Sequence, residues 1–599
     1  MPKRLALRLI NLVWYSTALL ILLAAIVVAT GRELLPNINF DNRPLLDYVS
    51  KHVGADIKTT GLRCQWTQLY PEFSAQQVSV NTPELSIHLE NVRLDIDFLR
   101  SVIQRTPVFD RLQLTEANIR YTQPDNSAPS TEADPEKTWN IVNLLFNNDV
   151  KVQNVTLEWH KGNQVHLLRL NDFRVEQNFY RKKFFLRLVD QHGKENLYVV
   201  GELQGNSLDS SEGKLYINAQ EWLLDDWIPI PVEQPLALTN GEAWIDWQGM
   251  ETANAIAQLH VRPQPETASN TPLPESIDAV FSAHWKKDGL SSIDIHSLTL
   301  QEQQQTLPLL GNTKVSVDFS KPGEWRMQAP ELVLQNLMAV NQYVPAGDLK
   351  TLFQSLNPQG ALRNVDLLWD NTKPLTERML LRANADSINS GAWNGVPAFT
   401  QVSGYLQSGI GYGFIDLDSN NGFSMFYPSI YHEPMHFQRA AGRVQWHWIP
   451  ERDTVLVGSD YASLTGDAGE ARGNFWLDLP LHNAAGEMYL AIGLRNSQAR
   501  YRDMFLPYIL PADLLSWLKN SIGDAEVPNA GFIYRGGLSH GNQHTNAIQF
   551  YADINNGDLQ FDPHWPRLTK LNARLLVDDG NATVRANSGL IYNTAIQGA

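Results

Sequence analysis

The sequence predicts a mainly β protein: one N-terminal membrane-spanning helix, then a long succession of strands with a few short helices. Three observations carry this. The N-terminus holds one long apolar run. From Gly61 onward, apolar and polar residues alternate with period two again and again, as they do on a strand whose successive side chains point to opposite faces. Helical spacing is rare, and strands and helices do not alternate regularly, which argues against a doubly wound parallel sheet.

The anchor comes first. Residues 9–29 are apolar apart from Asn11, Ser16 and Thr17. As a helix, that length spans a hydrocarbon core of roughly 30 Å. Lys3, Arg4 and Arg8 precede it, so the positive-inside rule keeps 1–8 in the cytoplasm and sends everything after Arg32 across the membrane. The competing reading is a cleaved signal peptide, since Ala29-Thr30-Gly31 resembles a small-residue cleavage site. Signal h-regions run about 7–15 residues, and this run is longer. The expectation is an uncleaved inner-membrane anchor with the bulk of the chain in the periplasm.

After the anchor, "DNRPLLDYVSKHVG" reads as a short amphipathic helix, capped by Asp41 and stopped at Gly54. Strands follow. In "LSIHLENVRLDIDF", Leu85, Ile87 and Leu89 point one way, and after Glu90-Asn91 the apolar set moves to Val92, Leu94, Ile96 and Phe98. A one-residue slip of this kind marks a turn, a bulge or a new strand. Further alternations are Leu215/Ile217/Ala219, Val315/Val317/Phe319, Val365/Leu367/Trp369, Val444/Trp446/Trp448 and Ile548/Phe550/Ala552/Ile554. Two stretches rich in Pro, Ser, Thr and Glu, 122–138 and 263–276, read as loops. Short helices are expected over 139–146 and 348–356, and a firmer one in "LPADLLSWLKNSIG", where Leu514, Leu518 and Ile522 recur at helical spacing before Gly523.

Composition narrows the function. A net charge of −16 gives no basic stripe for phosphates, which excludes a nucleic-acid partner. Cys64 is alone, so neither a disulfide framework nor a cysteine-rich metal site is available. "HEPMH", His432 to His436, fits the zinc-protease pattern, but that chemistry needs both histidines on one helical face and Pro434 breaks such a helix. "GLSHG" fits the nucleophile elbow around Ser539, yet a strand rather than a helix follows it, so a glycine-rich hairpin accounts for the residues. No metal, cofactor or catalytic residue is assigned, and no enzyme is expected.

The order of several segments resembles the AsmA-like family, and within it the YhdP type. The match is the anchor, the helix ending at Gly54, and the strand pair "CQWTQLYPEFSAQQVSV" with Trp66, Pro71 and Phe73. It continues in "LSIHLENVRLDIDFLRSVIQRTPVFDRLQLTEANIRY", "YRDMFLPYILPADLLSWLKNSIGDAEVPNAGFIYRG" and "GDLQFDPHWPRLTKLNARLLVDDGNATVRANSG". "YHEPMHFQRAAGRVQW" fits as the start of a strand. The resemblance implies a bridge-like lipid-transfer protein: a long, twisted, taco-like open sheet whose apolar groove carries phospholipid from the inner membrane toward the outer membrane, where envelope proteins meet the far end. It implies no cofactor, and a parent of about twice this length, with "SGLIYNTAIQGA" left as unclosed strands. The regions are then 1–8 cytoplasmic, 9–29 anchor, 30–121 an AsmA-like β region, 139–262 and 277–599 groove segments.

Patterning alone leaves another possibility open: a periplasmic scaffold or assembly factor with closed β cores, since most alternating strands bury their apolar face against protein. The groove reading places Ile87, Leu89, Leu94, Ile96, Leu215, Ile217, Val315, Val317, Val365, Leu367, Val444, Trp446, Ile548 and Phe550 on an inner lipid-facing surface. Arg93, Asp95, Lys314, Asp366 and Gln549 then point to water. About 30 strands at roughly 4.8 Å spacing would make a sheet roughly 140 Å long.

Overall fold

The computed structural model describes residues 2–34, 56–67, 70–81, 85–97, 109–122, 149–161, 164–178, 181–189, 194–205, 210–223, 236–249, 251–263, 274–302, 305–311, 313–343, 348–393, 396–481, 486–537 and 546–598. The helices expected after Asp41 and over 139–146, and the serine of "GLSHG", lie outside them. The chain divides into two compact units, Met1–Gln264 with Ser282–Gly289, and Pro265–Phe281 with Leu290–Ala599.

The first unit opens with a helix, Pro2–Leu34, whose first turns hold Lys3, Arg4 and Arg8. Its segment Trp14–Leu34 is long and apolar enough to cross a membrane. At 1.5 Å per residue the helix is about 50 Å long, more than a hydrocarbon core requires. Near its C-terminal end a Cβ on Gly31 would overlap the ring of Trp66, so that indole packs against the helix. Trp66 belongs to the hairpin Arg63–Thr67 and Tyr70–Asn81, which sets it opposite Pro71 and Cys64 opposite Phe73.

From Tyr70–Asn81 to Thr252–Pro263 the paired strands of this unit form one hydrogen-bonded ladder. All of these pairs are antiparallel except Phe109–Thr122 with Asp149–Lys161, which run parallel. Parallel neighbours need a long crossover, and residues 123–148 connect these two. The lost beat at Asn91 is neither a turn nor a new strand: Leu85–Ile96 is continuous, and Asn91 is left-handed, with φ 54°. Its neighbours break step with it. The pairing passes from Gln77/Glu90 to Ala75/Val92, from Glu90/Glu116 to Val92/Leu114, and from Gln153/Asp172 to Val155/Leu170. Asn154, opposite Asn171 in the last of these, is also left-handed, with φ 55°. The extra residue thus runs across the sheet as a row of matched irregularities, each keeping Leu, Val and Ile on one face on both sides of the break.

The second unit carries its own ladder from Gly289–Glu302 to Thr594–Gln597. Among the described residues neither ladder pairs its last strand with its first, so each sheet is open rather than a barrel. Antiparallel alternation puts the connections 334–358 and 499–525 at the same rim, and they hold this unit's described α-helices: Leu334–Met338, Asp348–Leu356, Arg502–Phe505 and Ala512–Ser521. The rim elements bond to their neighbours. Gly391 donates to the Leu356 carbonyl at 2.7 Å, the Tyr508 hydroxyl donates to the Pro428 carbonyl at 3.0 Å, and Trp517 Nε1 donates to the Phe561 carbonyl at 3.0 Å. Helix Ala512–Ser521 forms where its spacing predicts, but Leu514 is 42 % exposed and Ile522 lies beyond the helix, bridged to Leu559. Leu515 and Leu518 take the half-buried side instead.

Candidate functional site

Residues directly opposite one another in a ladder share a face, so the register can be followed strand by strand. In the first unit, Leu94 faces Leu112, and the row continues through Val150, Val175, Phe184, Gly201 and Leu215 to Ile245 and Ala255. Ile87 and Leu89 begin parallel rows through Ile119 and Ala117. Ile96 and Ile217 stand two positions from Leu94 and Leu215, on the same side. The six candidates of this unit therefore share one face.

In the second unit, Val317 faces Met327, and the row runs through Leu367, Leu381, Ser408 and Gly413 to Trp446, Val457, Leu477 and Met488. Val444 lies on that side through Ile415 and Leu406. Ile548 joins it through Tyr534, Leu490 and Phe475, and Phe550 through Phe532 and Ile492. No residue named in these rows carries a charge. A recess of about 540 Å³ is lined by Ile492, Phe532, Phe550 and Val577 of this face and, for the larger part, by residues of the other face, among them Ile533, Tyr551 and Asp578.

Burial separates the candidates. Twelve are half-buried, and among the described residues the strands of each unit belong to one sheet with no second one. Val315 and Val365 differ: each is 3 % exposed and belongs to a packed cluster with Ala329, Leu332 and Ala383, against which Leu310 and Leu337 also pack. Those two valines are packed core.

The opposite face carries the charges. Arg93 pairs with Glu72, and Lys314 Nζ lies 2.8 Å from Asp294. Arg326 grips Asp366 through two bonds of 2.5 and 2.7 Å, and Arg443 grips Asp416 at 2.6 and 2.8 Å while lying 4.2 Å over the Phe414 ring. The hydrogen bonds from these arginines hold the Asp366 and Asp416 carboxyls below their ordinary range. This face is not purely polar, as simple alternation predicts. Phe185, Tyr198, Tyr216 and Trp244 form a ladder of ring contacts at 5.5, 6.5 and 5.3 Å, ending in a Trp244 that is 48 % exposed. Cross-strand aromatic contacts of this kind add to the pairing energy of neighbouring strands.

The sequence reading also missed Lys182. It stands opposite Leu203, two positions from Phe184, and so lies on the apolar face at 3 % exposure, where burial pushes its ammonium down to about 8. "HEPMH" holds no helix: Met435–Phe437 is a strand, and the His432 ring stacks on Tyr508 at 4.3 Å. Among the described residues no three His, Cys, Asp or Glu side chains cluster as metal ligands.

A sequence model of the YhdP protein family matches residues 1–599. The chain belongs to the YhdP family. It is similar to the intermembrane phospholipid transporter YhdP of Escherichia coli (strain K12), at 20 % identity over 623 residues that cover 96 % of this chain and 47 % of that protein. This YhdP-family chain thus spans about half the length of the curated relative it matches.

Proposed function

We propose that this YhdP-family chain is anchored in the inner membrane by Pro2–Leu34 and conducts phospholipid through the periplasm along the apolar face of its sheets. The reading rests most on one observation: an uncharged face, continuous by register from Val317 to Met488, whose aliphatic side chains other than the buried Leu477 are half-buried, in a unit with no second sheet among the described residues. Such a face is costly in water, at about 25 cal/mol for each Å² left exposed. Acyl chains cover it, while head groups stay at the watery margin. The Escherichia coli relative is an intermembrane phospholipid transporter, which supports phospholipid as the cargo. The outer membrane, with envelope proteins at the far end, is the destination in this reading, and no catalytic step is assigned.

The experiment is mass spectrometry of lipids that co-purify with the chain in a mild detergent, compared with a Val317→Asp, Leu367→Asp, Trp446→Asp variant. Diacyl phospholipid retained by the parent and lost from the folded variant is the expected result. A lipid-free parent with fully protected apolar strands would favour a scaffold with closed cores.

A further inference from the structure

Trp446 and Gly413 stand directly opposite each other on Arg439–Ile449 and Tyr412–Ser419. A Cβ added to Gly413 would overlap the indole, and the three nearest atoms it would meet all belong to Trp446. The indole therefore lies down across the glycine, against the sheet. Gly413 does not have a positive φ, so its backbone is one that alanine adopts without strain. The glycine is required by the ring above it and not by the chain path. Tyr551 over Gly531 is the same device on the opposite face, again with no positive φ beneath the ring and with Tyr551 atoms as the nearest neighbours. Gly213 under Trp247 differs, because there a Cβ would also come within 2.9 Å of the Glu202 carbonyl oxygen.

Resting on the lipid-conducting reading above, we propose that Gly413 keeps the Trp446 indole flat in the floor of the lipid path, and that this clearance decides whether an acyl chain passes. Any side chain at 413 forces Trp446 into another staggered rotamer, because the end of a flexible side chain moves more easily than a strand. Its ring then stands up from the apolar face with its broad side across the path. The same substitution at Gly531 lifts Tyr551 into solvent on the other face, where no lipid runs.

The test compares the full chain with Gly413→Ala, Gly531→Ala and the double variant Gly413→Ala/Trp446→Ala. Transfer of a fluorescent phosphatidylethanolamine is followed between phosphatidylethanolamine/phosphatidylglycerol vesicles. In parallel, the ¹⁹F resonance of 5-fluorotryptophan at position 446, assigned with Trp446→Phe, reports the ring without lipid. Gly413→Ala is expected to fold, shift that resonance and lose transfer; the double variant regains transfer, and Gly531→Ala changes neither readout. An unshifted resonance in Gly413→Ala overturns the proposal, as does parental transfer by that variant. So does a double variant that stays inactive while Trp446→Ala alone is active. A parent that transfers no phospholipid at all would instead fail the conducting reading, with the resonance still deciding whether Gly413 holds the ring down.

Discussion

Aspartate at Leu367 and at Val365, two positions apart on one strand and one face, should have very different consequences. Leu367 is half-buried between Met327 and Leu381, and among the described residues its unit has no second sheet. Full burial of a leucine is worth about 1.5–3 kcal/mol, so losing a half-buried one removes about 1–1.5 kcal/mol. The new carboxylate can reach water and adds little, which makes the expected cost of Leu367→Asp about 1–2 kcal/mol. Val365 is 3 % exposed within the Val315, Ala329, Leu332 and Ala383 cluster. There the carboxylate is stranded without a partner, and the cost rises to about 4 kcal/mol or more. Urea unfolding of the detergent-solubilised chain measures both. The stacked indoles of Trp325 and Trp369, 6.1 Å apart on the same strands, supply a local fluorescence probe. Equal, large losses at both positions would mean that a layer covers Leu367 as it covers Val365, and the open-face argument would fall. Leu367→Asn serves as the control, since a neutral side chain should cost nearly the same if the charge is solvated.

Lys182 supplies a pH test. Its folded pKa of about 8 lies below the 10.5 of an ordinary lysine, so the unfolded chain binds the extra proton between those values. The penalty is complete below pH 8 and fades as pH rises toward 10.5; at 1.36 kcal/mol per unit it amounts to about 3 kcal/mol at most. Lys182→Met should therefore be more stable than the parent at pH 7, by a margin that closes in alkali, and a parent that is the more stable of the two at pH 7 would contradict the buried-ammonium account. For Arg326 and Asp366, a double-mutant cycle should give a coupling of about 0.5–1 kcal/mol near neutrality. Because the Asp366 carboxyl is held low by Arg326, that coupling is present above the unfolded carboxylate range and disappears as acid protonates the folded group; a coupling that survives full protonation would show it is not ionic.

Much of this architecture is legible in the residues because single-layer sheets obey a simple period. Val317, Leu367 and Trp446 sit where alternation puts them, and the register joins them across strands that are distant in sequence. The slip at Asn91 was visible as well, though its meaning was not. A bulge, a turn and a new strand leave the same one-residue mark, and only the matching breaks around Ala75, Leu114, Asn154 and Asn171 tell them apart. Alternation failed where both faces are apolar. "KFFL" puts Phe184 on one side and Phe185 on the other, and Phe185 starts the ring ladder that ends in Trp244. Nor could pattern separate Val365 from Leu367, since Val365 sits inside a cluster closed by Ile295, Leu310, Leu337 and Leu362 as well as by its row neighbours, and that packing is set by the fold rather than by the alternation. Lys182 was hidden because a lysine in "YRKKFFL" reads as solvated until the strand phase is fixed by Phe184.

The most direct test of the central claim is photo-crosslinking from the two sides of one strand. Benzoylphenylalanine is placed at Leu367 and Phe550 on the apolar face, and at their neighbours Asp366 and Gln549 on the charged face. After irradiation of living cells, the purified chain is analysed for covalently attached phospholipid. Adducts at Leu367 and Phe550 with none at Asp366 and Gln549 are predicted. Adducts of equal yield on both faces, or none at Leu367 and Phe550 in a folded and membrane-inserted chain, would contradict the account.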